Sequence, residues 1–184
     1  MVSGDGMNRL PLANFLKLGE ILERLASQSP VRPLVLTGND KFFSTGADLT
    51  EIRELSGDTA IQFSRRGQQV TDALHHFPAL TIAAIRGYCM GGSMDTAIAC
   101  DMRICSPDAV FGHRGAALGI LTGWGGTQRL SRLVGRARAL QMFLAGEVVP
   151  AQEAWRIGLV NELAEDPVQA AIATARARPR VPGP

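Results

Sequence analysis

The feature that most constrains this chain is a pattern met twice: a short apolar run, a glycine-rich turn, then the start of a helix. The first copy runs from residues 31–37, closed by Gly38, to Phe43-Ser44-Thr45-Gly46-Ala47-Asp48-Leu49. The second runs from residues 80–85 to Gly87-Tyr88-Cys89-Met90-Gly91-Gly92-Ser93-Met94-Asp95. Buried strands that turn directly into helices pair in parallel, with the helices as crossovers, which is the signature of an α/β core. The alternation continues along the chain. Phe15, Leu16, Leu18, Ile21, Leu22 and Leu25 recur at helical spacing in a segment that ends near Ser27. Residues 39–46 read as a loop. The D-x-x-E spacing of Asp48 and Glu51 has the form of a capping box and predicts a helix from Leu49. A longer helix is expected over 60–75, stopped before Pro78, and another from Ser93 to about Cys100. Strands are expected at 102–105 and 109–112, helices at 126–134, 136–145 and 151–157, and a last helix from Pro167.

At 184 residues the chain suits one well-buried domain. A net charge of +2 offers no case for nucleic acid, and the arginines Arg176, Arg178 and Arg180 read as a solvated tail. No apolar run reaches membrane-spanning length and no secretory leader opens the chain, so a cytoplasmic protein is expected. Cys89, Cys100 and Cys105 form no C-x-x-C pair and have no histidine at ligand spacing. Buried, reduced thiols and no metal site are the reading.

Each glycine-rich junction aims free backbone N–H groups outward from a helix N-terminus, where they can meet an anion. Two such amides converging on one oxygen make an oxyanion hole, in which each donor stabilises a transition state by roughly 3–4 kcal/mol. The same turns also serve plain packing in many proteins.

Several further stretches carry a resemblance. These are Val35-Leu36-Thr37-Gly38 and Phe42 through Leu49, Ala83 through Gly92, and Ala99-Cys100-Asp101. Gly119 through Gly123-Trp124-Gly125-Gly126-Thr127-Gln128-Arg129-Leu130 follow, with Ala151 through Ala154 and Gly158-Leu159-Val160-Asn161. In order and spacing they resemble the enoyl-CoA hydratase/isomerase (crotonase) family from about Asn8 to Asn161. The resemblance implies a crotonase-like ββα spiral superhelix, here short at both termini. Residues 1–165 would form the core domain, and 166–184 a residual helix with a Pro/Arg-rich tail. It implies an acyl-CoA thioester as substrate, with coenzyme A arriving as part of it and no permanently bound cofactor. The oxyanion amides would be those of Ala47 and Gly92. The backbone of Ala47, Asp48, Leu49 and Thr50, with Gly92, would contact the coenzyme A portion. Thr50 stands where the family often has a basic residue, which weakens a phosphate contact. A homotrimer or dimer of trimers would be the assembly.

The family's hydratases use two glutamates. Asp95 matches the first; three residues beyond Gly92 on a helix, it lies on the same face as that amide. It also has the simpler role of an acid complementing a helix dipole. The second position falls at Gly115, where there is no carboxylate. A positioned acid or base contributes roughly 10²–10⁴-fold, so hydration by the two-glutamate route is disfavoured and double-bond isomerisation fits better. His113 is a nearby candidate base, imidazole being suited to proton transfer near neutrality, and a loop or subunit contact accounts for it equally well. His75 and His76 read as capping a helix C-terminus. Two alternatives remain: a crotonase-fold binding or scaffold protein without turnover, and a hydrolase of the related Clp-like fold with Ser93 as nucleophile beside His113.

Overall fold

In the computed structural model, which describes residues 6–177, the chain winds as three successive strand–strand–helix turns. The first turn is β1 (Leu34–Thr37), β2 (Phe42–Ser44), α2 (Leu49–Arg53) and α3 (Gly57–His75). The second is β3 (Thr81–Ile85), β4 (Tyr88–Met90) and α4 (Gly92–Ala99). The third is β5 (Met102–Cys105), β6 (Val110–Gly112), a 3₁₀ turn at Arg114–Leu118, α5 (Gly126–Val134) and α6 (Arg136–Leu144). Helix α1 (Leu12–Ala26) precedes them; β7 (Val148–Pro150), α7 (Ala151–Arg156), β8 (Glu162–Leu163) and α8 (Pro167–Ala177) follow.

Each turn contributes one strand to each of two sheets. The first sheet has the order β1-β3-β5-β8, all parallel, with Leu34 opposite Thr81, Ile82 opposite Met102 and Ile104 opposite Glu162. The second has the order β2-β4-β6-β7, parallel except that β7 runs antiparallel to β6. All five residues of β3 are buried, as a central parallel strand covered on both faces requires. Its side chains alternate accordingly. Ala83 and Ile85 face the main core, while Ile82 and Ala84 meet Ala171 of α8. Helix α8 therefore covers the outer face of the first sheet, and the tail at 178–184 lies outside the described residues. No described helix is long and apolar enough to cross a membrane.

The helices fall close to where the sequence places them, with instructive departures. The first strand is shorter than 31–37, beginning at Leu34. The segment 39–46, expected as loop, contains β2, and the second turn contains β4. These three-residue strands are too short to show a hydrophobic period and are created by pairing with each other. Strands β7 and β8 were missed for the same reason. Helix α3 begins at Gly57, not 60, because the Ser56 N–H donates to Thr59 Oγ1 at 2.7 Å and starts it earlier. The Asp48–Glu51 pair forms only half of a capping box. Asp48 caps α2 by accepting the Thr50 N–H at 2.8 Å, but Glu51 accepts the N–H of Leu12 at 2.8 Å, the first residue of α1. An acid expected to serve its own helix serves the N-terminus of another.

Candidate active site

The two glycine-rich turns open on one cavity of about 400 Å³. Strand β2 leads into Thr45–Gly46–Ala47, and β4 into Gly91–Gly92. Gly46 has φ +91°, and a Cβ there would lie 2.5 Å from the Met90 oxygen and 2.8 Å from the Gly92 nitrogen. The turns thus touch backbone to backbone, which only a residue without a side chain permits. Ser93, fully buried, ties them together, its Oγ lying 2.7 Å from Ser44 O and 2.8 Å from Met90 O. Among the described residues no hydrogen bond joins Ser93 to His113, so nothing supports the hydrolase alternative.

Ala47 and Gly92 both line the cavity. Gly92 is the first residue of α4, where an N–H has no acceptor within its helix. Among the described residues, neither the Ala47 nor the Gly92 amide donates to the turn and cap hydrogen bonds around it. Leu49 also lines the cavity; Asp48 and Thr50 do not, the first being the α2 cap and the second exposed.

One turn into α4, Asp95 is completely buried. Its Oδ2 accepts a hydrogen bond from Thr122 Oγ1. Its Oδ1 and His113 Nε2 lie 3.5 Å apart, at ion-pair distance, and neither atom is hydrogen-bonded. The carboxylate fits because Gly126 has no side chain: a Cβ there would stand 1.9 Å from Asp95 Oδ1. His113 follows β6, with its ring edge-on to Phe143 at 5.2 Å. Gly115 lines the cavity too, but a Cβ there would lie 2.6 Å from the Ile120 carbonyl oxygen. This loop has no room for a second carboxylate at that position. Much of the remaining wall is apolar, from Leu49, Ile52 and Leu55, Phe63 on α3, Leu118 at the end of the 3₁₀ turn and Leu121 beyond it, with Ser64 and Arg114 as polar members. A pocket whose lining combines helix-start amides and a buried acid with aliphatic side chains suits a carbonyl compound with a hydrocarbon chain.

Residues 5–178 match the family model for enoyl-CoA hydratase/isomerase. The chain belongs to that family. It is 39% identical over 151 residues to a probable enoyl-CoA hydratase of Bacillus subtilis (strain 168), covering 82% of this chain and 58% of the relative. It is 38% identical over 160 residues to the crotonyl-CoA hydratase of Syntrophomonas wolfei, covering 86% of this chain and 62% of that one. Among solved structures it resembles Pseudomonas aeruginosa DspI with a TM-score of 0.85 and 38% identity, over 89% of this chain and 68% of the other. The chain spans about three fifths of the length of the curated relatives it matches. The crotonase-like ββα spiral expected from the sequence is the fold observed.

In this enoyl-CoA hydratase/isomerase fold, two residues to which sequence reasoning gave no role help to build the site. Trp124 is buried between Phe15, stacked on it at 4.3 Å, and Phe63 at 5.5 Å. A Cβ on Gly92 would lie 2.6 Å from Trp124 Cζ3, and one on Gly67 would lie 2.0 Å from Trp124 Cδ1. The indole therefore demands glycine at both places. Thr122 is the other, because its hydroxyl holds Asp95 from 27 residues away. A tryptophan between glycines was the available signal for the first; an isolated threonine offered none for the second.

The remaining candidates have structural places. His76 caps α3, its N–H donating to Asp72 O at 2.9 Å, and burial, followed by the nearby Arg129 charge, lowers the pKa of His75. All three cysteines are buried and free. Burial pushes the Cys100 and Cys105 thiols up to about 12, and Cys89 higher still.

Proposed function

We propose that this protein binds an acyl-CoA thioester and stabilises its enolate, catalysing hydration or double-bond isomerisation of an enoyl-CoA. The thioester oxygen accepts from the Ala47 and Gly92 amides, and negative charge develops between them as the reaction proceeds. Asp95 moves a proton at the carbon next to the carbonyl. Thr122 holds its Oδ2, which leaves Oδ1, not hydrogen-bonded, for proton transfer. The acyl chain lies along the aliphatic wall, and the backbone of residues 47–50 carries the coenzyme A portion. One observation carries the reading: the two junctions meet at a single cavity whose wall contains the buried, non-hydrogen-bonded Asp95 Oδ1. The names of the relatives support it. The family likeness extends the proposal to a cytoplasmic homotrimer or dimer of trimers, and sedimentation as a monomer would refute that assembly.

The test is a panel of 2-enoyl- and 3-enoyl-CoA thioesters followed by ultraviolet absorbance and product mass. Turnover is expected, and Asp95→Asn should lower it by about 10²–10⁴-fold, the usual contribution of a positioned acid or base. An undiminished rate in that variant removes Asp95 from the mechanism. Binding without turnover of any thioester by the wild type leaves a scaffold protein instead.

A further inference from the structure

Two buried polar atoms, Asp95 Oδ1 and His113 Nε2, face each other 3.5 Å apart at the cavity wall, and neither has a hydrogen-bond partner. Leaving such an atom unpaired is unfavourable, and native proteins contain few of them. Here the two are each other's neighbours at ion-pair distance, without a hydrogen bond between them, and both residues line the cavity, where a substrate can meet them. We propose that His113 is the second proton-transfer group of the site, and that Asp95 and His113 together hydrate an enoyl thioester. This rests on the enolate reading above and deepens it.

The geometry favours the imidazole over a carboxylate in the second role. Gly115 cannot carry a side chain without moving the Ile120 carbonyl. His113, two residues earlier, is fixed where β6 ends by Phe143 and reaches the acid directly. The proton inventory closes. His113 Nε2 takes a proton from water as the water oxygen bonds to the β-carbon of the enoyl group. The π electrons of the Cα–Cβ double bond move into the enolate, whose charge lies on the carbonyl oxygen between Ala47 and Gly92. The protonated Asp95 carboxyl then gives its proton to Cα. The imidazolium returns one proton to the carboxylate across the gap that separates them, and the pair ends as it began. One O–H bond of water is broken, one C–O and one C–H bond are formed, and nothing is oxidised or reduced.

The test pairs two assays on one preparation. Hydration of a 2-enoyl-CoA needs both groups, whereas deuterium uptake from D₂O at the α-carbon of a saturated acyl-CoA needs only the amides and Asp95 in its carboxylate form, which takes the α-proton, exchanges it with solvent and returns a deuteron. His113→Gln should lose hydration by about 10²–10⁴-fold while exchange falls by no more than a few-fold, and Asp95→Asn should lose both. Wild-type hydration in His113→Gln overturns the proposal. So does an equal loss of both activities, because His113 would then act only through Asp95. A wild type that exchanges but does not hydrate overturns the role of His113 and leaves the enolate reading standing; one that does neither overturns both. Near-ultraviolet circular dichroism monitors the fold, and should the glutamine variant lose its tertiary signal, His113→Asn decides by the same criteria.

Discussion

Gly92→Ala would test whether Trp124 sets the geometry of the candidate oxyanion turn. The added methyl lands 2.6 Å from Cζ3 and 2.7 Å from Cε3 of the indole, where about 3.5–4.0 Å is an unstrained carbon–carbon separation. The ring must therefore retreat by about 1 Å, and its surroundings oppose that. Phe15 stacks on it at 4.3 Å with ring planes 10° apart, and Gly67 leaves no space beside Cδ1. The Trp124 carbonyl is held by Thr71 Oγ1 at 2.9 Å and by Arg129 at 3.2 Å. Overpacking a filled core is unfavourable by about 1–3 kcal/mol, and the upper half of that range applies to a ring confined in this way. For a chain of this size each kcal/mol shifts the midpoint by about 2–4 °C, so a fall of roughly 4–12 °C is expected on thermal unfolding by circular dichroism. Gly57→Ala is the control: no atom lies within 4 Å of its would-be methyl, and a change within about 0.5 kcal/mol is expected. The atoms in the way belong to the six-membered ring of the indole, so Trp124→Phe should recover part of the loss. The double variant then falls short of the sum of the singles. If Gly92→Ala melts together with Gly57→Ala, the steric argument for this glycine is wrong.

Thr122→Val keeps the shape but removes the hydroxyl that donates to Asp95 Oδ2. With neither carboxylate oxygen then hydrogen-bonded, denaturant unfolding should show a loss of about 1–3 kcal/mol; unchanged stability and turnover would show that Thr122 does not hold the acid. The buried thiols make stability depend on alkaline pH. Their pKa values are raised in the folded chain from an ordinary 9.0, so stability is full below that pH and is lost as pH rises above it. At pH 10, Cys89 and Cys100 should each contribute about 1.4 kcal/mol of destabilisation. A Cys89→Ala/Cys100→Ala variant whose midpoint falls as steeply between pH 8 and pH 10 would refute this.

Much of the fold is legible locally. The helical period of Phe15, Leu18 and Leu22, the apolar run of β3 and the glycines before α4 each depend on neighbours in sequence, and each element forms about where that pattern places it. The resemblance in residue order and spacing was enough to name the family. Of the second sheet only β6 was legible, at the strand expected over 109–112; β2, β4 and β7 are three-residue strands that acquire their identity only by pairing.

The site divides along the same line. By itself the sequence determined that two strand–helix turns would present backbone amides and that Asp95 would stand one helical turn beyond Gly92, because both follow from local backbone geometry. Tertiary structure alone decided that the turns meet across Gly46, that Trp124 requires glycine at position 92, and that Thr122 and His113 converge on one carboxylate. Those are relations between atoms far apart in the chain, fixed by how the core packs. Local sequence carries no record of which distant side chain will arrive at a given distance.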